Sequence, residues 1–270
     1  MVITNNDITQ KTYKKLSIQV SLSGLSFCVF DLISKKISHT TSVTFEKNKV
    51  IEEQLWHTFI ENPVLTASYD EIIVIHDNNL NAFVPTSLCD TNFLASYLQY
   101  NTKVFETDFF TYDIIFPYEI NNIFVPFVNI NNFLLDQYKS FEYQNANSIL
   151  VKQLLDFSKN IEEKQVFIHL QALHFEIIVV KNQQLILSNS FEYKSPEDFI
   201  YYLLFTCEQL QLNPETTLVQ FLGDCTKDNA CFKIAYKYIR NCHLIDTKNK
   251  AAILDVTSLA LRKHYILFHS

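Results

Sequence analysis

The same order of segments, three strands, a helix and a strand, occurs twice along the 270 residues of this chain. In the first half, Ile18, Val20 and Leu22 alternate through Leu16–Leu22. Leu25, Phe27 and Val29 alternate through Leu25–Leu32, with Cys28 and Phe30 on the opposite side. Apolar residues on both faces predict strands covered on each side. Ile37–Phe45 reads as a third strand of mixed character. Ile51, Leu55 and Phe59 then mark one stripe of a helix with Asn48 as its expected cap, and Glu71–His76 reads as a buried strand.

The second half repeats the order. Gln165–Ala172 and Phe175–Val180 read as strands joined by a tight turn, with Leu185–Tyr193 as the third. Ser195-Pro196-Glu197-Asp198 is a helix start, with Ser as cap, Pro in the first turn and two acids facing the dipole. Asn213-Pro214 closes that helix and Thr217–Leu222 is the next buried strand. A shift of 150 residues places Ile18 on Ile168, Val20 on Leu170 and Phe30 on Val180. The duplicated order predicts an α/β chain of two similar lobes, residues 1–160 and 161–270, with the boundary in the polar Lys159–Lys164 stretch.

Between the two units, Ala82–Ser87, Lys103–Phe116 and Ile123–Val128 read as further strands or an inserted hairpin. Asn131–Phe141 and Ser148–Phe157 read as helices. After the second unit, Lys227–Ile239 is predicted to be an amphipathic helix burying Cys231, Ile234, Ala235 and Tyr238. His243–Asp246 is a short strand, and Asp255–Arg262 is the last helix.

Composition decides which partners fit. With 22 basic against 29 acidic residues the net charge is −7, which disfavours nucleic acid and anionic membrane surfaces. The six cysteines lie mostly in apolar segments and never as C-x-x-C, the pattern of reduced, buried thiols in a cytosol. Met1–Lys15 is polar and lacks the apolar core of a signal peptide, and no apolar run approaches the ~18 residues of a membrane helix. A cytoplasmic location is expected. The 14% of aromatic residues is read as core packing. Glycine is the unusual number: average usage of about 7% predicts roughly 19, and the chain has two, Gly24 and Gly223.

A duplicated β-β-β-α-β-α-β-α unit resembles the actin-like ATPase superfamily, within the ribonuclease-H-like class. The Ser195–Pro214 helix, Phe83-Val-Pro-Thr-Ser-Leu88 and Ile123-Phe-Val-Pro-Phe127 resemble more closely one bacterial domain-of-unknown-function family of that fold. The resemblance implies that each lobe offers its first hairpin turn to nucleotide phosphates, through an Asp, a Gly and small hydroxyl residues. It implies too a Gly-Gly pair after the fourth strand of lobe two for the purine. Here the first turn, Ser21-Leu22-Ser23-Gly24-Leu25, has no carboxylate. The second, Ala172-Leu173-His174, reads as too short and apolar, and the purine position holds Leu222-Gly223-Asp224. Phosphoryl transfer needs carboxylate, metal and cradle together, so ATP hydrolysis is not expected and no cofactor is assigned. A two-metal nuclease is also disfavoured, since neither first strand carries an Asp or Glu.

The remaining constellations favour ordinary readings. Cys225, Cys231, Cys242 and His243 lack the close pairing of a structural zinc site, so no metal is expected. His174 in the second turn and His76 before Asp77 could do acid–base work, yet polar residues at strand ends are ordinary. Lys233, Lys237 and Arg240 form a basic helix stripe, with Arg262-Lys263-His264 as a second spot; a solvated face is the default, an acidic partner patch the alternative. The leading expectation is a non-catalytic binding or scaffold protein with a protein partner. Its rivals are a diverged ligand-binding enzyme or sensor using Ser23, Gly24, His174, Gly223 and Asp224 in the inter-lobe cleft, and a self-assembling filament or dimer. The oligomeric state stays open.

Overall fold

The computed structural model describes residues 11–105 and 107–270; most of the polar Met1–Lys15 stretch lies outside the described residues. The first unit comprises β1 (Lys14–Ser21), β2 (Gly24–Asp31), β3 (Lys36–Thr44), α1 (Ile51–Glu61) and β4 (Glu71–His76). An insert follows: β5 (Asn81–Pro85), α2 (Leu94–Leu98), β6 (Thr111–Ile115) and β7 (Ile120–Phe124). Next come α3 (Val128–Tyr138), β8 (Glu142–Asn145) and α4 (Ala146–Phe157). The second unit comprises β9 (Gln165–Leu170), β10 (His174–Lys181), β11 (Gln184–Glu192), α5 (Pro196–Gln209), β12 (Leu218–Gly223), α6 (Ala230–Tyr238) and β13 (Asn241–Leu244). The helices α7 (Lys248–Leu254) and α8 (Ser258–Lys263) close the chain.

The two large sheets have one topology. The first runs β3-β2-β1-β4-β8 and the second β11-β10-β9-β12-β13. In each, two antiparallel hairpins lead into two parallel neighbours. The repeat extends to register. Ile18 faces Phe27 as Ile168 faces Ile177, and a bulge falls at Val29/Phe30 as it does at Val179/Val180. Such agreement at fixed spacing follows from a period-2 pattern buried on both faces, where a one-residue slip would exchange the faces of every side chain.

Three apolar layers hold the sheets. Leu16, Ile18 and Phe27 pack against Leu55 and Phe59 of α1 and Leu134 of α3. On the far side, Phe175, Ile177 and Phe221 pack against Phe199 and Leu203 of α5 and Phe232 of α6. Between the sheets lies a shared layer. It gathers Cys28 and Ile75 of the first sheet, Phe167 and Ile178 of the second, Leu150 and Leu154 of α4, and Tyr265–Phe268 beyond α8. The insert forms a separate sheet, β5-β7-β6, with a small core around Leu98 and Ile123.

Local details correct the sequence reading. Helix α1 has Val50 at its N-cap with no side-chain cap bond, not Asn48. Among the described residues of Lys103–Phe116 only Thr111–Ile115 is strand, Ile123–Val128 leaves its strand at Phe124, and β8 is an additional strand. The last helix starts at Ser258, capped by Thr257, rather than at Asp255, and it is preceded by a helix α7 outside the expected elements, at whose end Asp255 takes a left-handed φ of 61°. Tyr238 is 56% exposed because α6 ends there. Ser195 does cap α5, in a reciprocal box with Asp198 that satisfies two N-terminal amides at once.

Candidate functional site

The carboxyl ends of β1, β4, β9 and β12 converge on a cleft of about 280 Å3 between the two sheets. Ser23, Gly24, Gly223 and Asp224 all line it. His174 does not; it opens β10 beside the cleft with its Nε2 3.2 Å from Glu176 Oε1. The two hairpin turns are of equal length. Val20 pairs with Leu25 and Leu170 with Phe175, leaving four residues in each, so the second turn is not the shorter one expected. What separates them is side chains: Ser21, Leu22, Ser23 and Gly24 stand against Gln171, Ala172, Leu173 and His174.

The hydroxyls of the first turn are spent locally. Ser21 Oγ and Ser23 Oγ lie 3.0 Å apart, and Ser21 Oγ donates to Gly24 O at 3.2 Å. Neither glycine has room for a side chain. A Cβ on Gly24 would meet Val43 O at 2.5 Å, and one on Gly223 would meet Leu170 O at 2.2 Å. Gly223 also adopts φ +83°, a conformation that glycine takes freely. Both are therefore accounted for by backbone packed on backbone within their own sheets.

Sequence reasoning overlooked the charged groups at the cleft floor. Glu176 of β10 sits directly opposite His169 of β9, and Glu176 is 3% exposed. His169 Nδ1 lies 2.9 Å from Glu176 Oε2. Burial alone would raise the Glu176 carboxyl, but the bonds to His169 and His174 outweigh it and bring it down to about 2. For His174, burial lowers the imidazole while Glu176 and Asp77 raise it, and the net shift is upward. Asp77, one residue past β4, accepts from Gln19 Nε2 at 2.8 Å and from Gln171 Nε2 at 3.5 Å, the latter reaching across from the second sheet. Burial, then the Glu176 charge, raises its carboxyl. The available signal was a single polar residue within an apolar run: His169 interrupts Val166–Leu170 and Glu176 interrupts Phe175–Val180.

His76 belongs to the core. It is fully buried, its Nδ1 accepts from Phe127 N at 3.3 Å, and its ring lies against Phe127 and Tyr143. Burial, opposed only by an Asn131 hydrogen bond, lowers its pKa to about 4. Since the unfolded imidazole titrates near 6.5, the unfolded chain binds the extra proton between those values. Stability should therefore fall as pH drops from 6.5 to 4, by about 3 kcal/mol from this residue. Urea denaturation across that range should show the loss, and His76→Gln should flatten it. Cys225 and Cys242 are buried thiols, each pushed up to about 12 by burial. Among the described residues no cluster of three His, Cys, Asp or Glu side chains is placed to hold a metal ion.

The family model described as "Protein of unknown function (DUF3822)" matches residues 3–242. The chain belongs to this family. Among solved structures, the DUF3822 chain is similar to a Bacteroides thetaiotaomicron protein with actin-like ATPase fold and unknown function. Identity is 22%, with 93% of this chain and 99% of that one covered and a TM-score of 0.81. It also matches a chain of the PilM-PilN type IV pilus biogenesis complex, at 9% identity, 94% and 96% coverage and a TM-score of 0.56. A third match is the ethanolamine utilization protein EutJ from Carboxydothermus hydrogenoformans, at 7% identity, 95% and 90% coverage and a TM-score of 0.50. No curated protein matches. The DUF3822 chain has the actin-like ATPase fold, two related five-stranded sheets built by one topology. Among the described residues, no helix is long and apolar enough to cross a membrane.

Proposed function

We propose that this DUF3822 protein is a non-catalytic binding or scaffold protein, built from lobes dividing at residues 160 and 161, that keeps the actin-like architecture without turning over ATP. One observation carries the reading. At the phosphate turn and the purine position, the two glycines are explained by close strand packing, since a Cβ on either would meet a backbone carbonyl of a neighbouring strand at 2.5 or 2.2 Å. Phosphoryl transfer needs a carboxylate for the metal and amides free to reach the phosphates. Neither turn has a carboxylate; of the two carboxylates lining the cleft, Asp77 is engaged by Gln19 and Gln171, and Asp224 follows β12, outside both turns. A protein of the same fold occurs in the PilM-PilN complex, so the architecture is compatible with a protein partner.

The test is phosphate release from Mg-ATP, read beside the thermal midpoint. The expected result is no release above background and no shift at millimolar nucleotide. A ligand of the native state at a hundredfold excess over its Kd would add about 2.7 kcal/mol. Release that disappears in Ser23→Ala and Asp77→Asn, but persists in the surface variant Lys47→Glu, overturns the proposal. A second reading, a diverged small-ligand site in the same cleft, is favoured by the buried His169–Glu176 pair beside Asp77. A midpoint shift with a non-nucleotide ligand, lost in Asp77→Asn, selects it.

A further inference from the structure

The basic helix stripe and the basic spot near the C-terminus, far apart in sequence, meet in space. Lys233 and Lys237 of α6 and Arg262 of α8 line one cavity of about 960 Å3 on the second sheet, joined by Lys227 and Lys248. Arg240 is excluded and instead faces Glu215 at 3.7 Å. Five cations thus gather from three helices and a loop in a chain whose net charge is −7. Like charges held together repel, and little in the cavity offsets them. Among the described residues the one carboxylate in the lining is Asp246, whose Oδ1 accepts from Lys248 N at 3.0 Å. Lys233 has a rim partner in Asp228 at 3.2 Å. Arg262 Nε is buried and has no hydrogen-bond acceptor among the described residues.

Two further features describe what fits there. The wall carries Phe232 and Tyr236, stacked at 6.3 Å and 20°, with Tyr236 62% exposed. The floor includes β13, the outer strand of the second sheet, through Cys242, His243 and Leu244. An outer strand offers N–H and C=O groups to an added extended chain. Residues 227–262 contain no glycine, so the cavity has no flexible backbone loop of the kind that wraps phosphate. We infer that this cavity docks an acidic, extended segment of a protein partner, its carboxylates on the lysines and Arg262, its apolar side chains against Phe232 and Tyr236. The inference rests on the binding-protein reading and gives its partner a chemistry.

The probe is a short fluorescein-labelled peptide of alternating Glu and Val, compared by anisotropy with the same peptide carrying Gln for Glu. The acidic peptide should bind, weaken as salt rises, and lose about tenfold or more in affinity with Lys233→Glu/Lys237→Glu. Arg262→Gln should weaken it too. The control pair Lys47→Glu/Lys159→Glu should leave it unchanged, and thermal midpoints establish that each variant is folded. Equal binding of the Gln peptide, or no binding of the acidic peptide at millimolar concentration, overturns the inference. So does binding of inorganic tripolyphosphate alone, lost in Lys233→Glu/Lys237→Glu. Phosphate release from Mg-ATP is scored separately: a protein that ignores the peptide and does not hydrolyse ATP leaves the scaffold reading standing and removes only the docking site.

Discussion

Gly223→Ala should cost this protein about 2–6 kcal/mol, a large share of its stability. Two terms add. A non-glycine residue held in a sparsely populated backbone region costs about 1–3 kcal/mol, and Gly223 has φ +83°. A methyl placed 2.2 Å from Leu170 O and 2.9 Å from Leu170 N then has to move backbone rather than a flexible side chain, comparable to overpacking at about 1–3 kcal/mol. Leu170 cannot yield readily, because it pairs with Phe175 on one side and Gly223 on the other, and Asp224 N donates to its carbonyl at 2.8 Å. Set against a typical total of about 5–15 kcal/mol, even the lower end would shift the urea midpoint strongly, and the upper end would exceed the whole stability of a domain at the bottom of that range. Gly24→Ala should be milder, since it has the 2.5 Å contact to Val43 O without the unusual φ. A Gly223→Ala protein as stable as the parent would show that β9 and β12 are not packed this closely, and would reopen Gly223 as a ligand contact.

Glu176→Ala should destabilise by about 3 kcal/mol, the linkage value of a carboxyl lowered from 4.5 to about 2 in the folded protein. Glu176 and His169 are 3% and 4% exposed, and the carboxylate also meets His174 Nε2 at 3.2 Å. Removing it leaves a buried imidazole without its partner. The pH dependence gives the effect a sign. With its carboxyl lowered to about 2 from 4.5, Glu176 contributes stability that is present above 4.5 and lost as pH falls towards 2. His174, raised by the same contact, contributes stability that is full below 6.5 and lost as pH rises through its shifted value. Urea midpoints of parent and Glu176→Ala should therefore differ most in mildly acidic buffer and converge towards pH 2. A constant gap across that range would mean that lost packing, not ionisation, carries the difference. Because Glu176 lies beneath the cleft, Glu176→Ala should also disturb any ligand read through Asp77, whereas binding at the basic cavity beside α6 should be unaffected in folded protein.

Much of the architecture was written in local pattern. Strands buried on both faces announce themselves as apolar runs, so the repeated order and the 150-residue shift from Ile18 to Ile168 could be read directly and are matched even at the paired bulges. The Ser195 cap was equally readable, because a capping box needs only residues three apart. Segments stabilised by distant contacts were not. The four-residue β8 exists because β4 offers it an edge, and the break between α7 and α8 falls at Asp255, which is left-handed and 2.8 Å from Lys36 of β3.

The functional surfaces divide along the same line. Sequence alone established the two-unit α/β fold, the carboxylate-free turns and the scarcity of glycine, since each is a property of neighbouring residues or of composition. Only the tertiary structure showed that both glycines are consumed by strand packing, and that His169 and Glu176 face each other in one hairpin register. It alone brought Lys233 and Lys237 to Arg262 around one cavity while turning Arg240 away. These are relations between elements far apart in the chain, and no local pattern encodes which side chains a crossover brings within a few ångströms of one another.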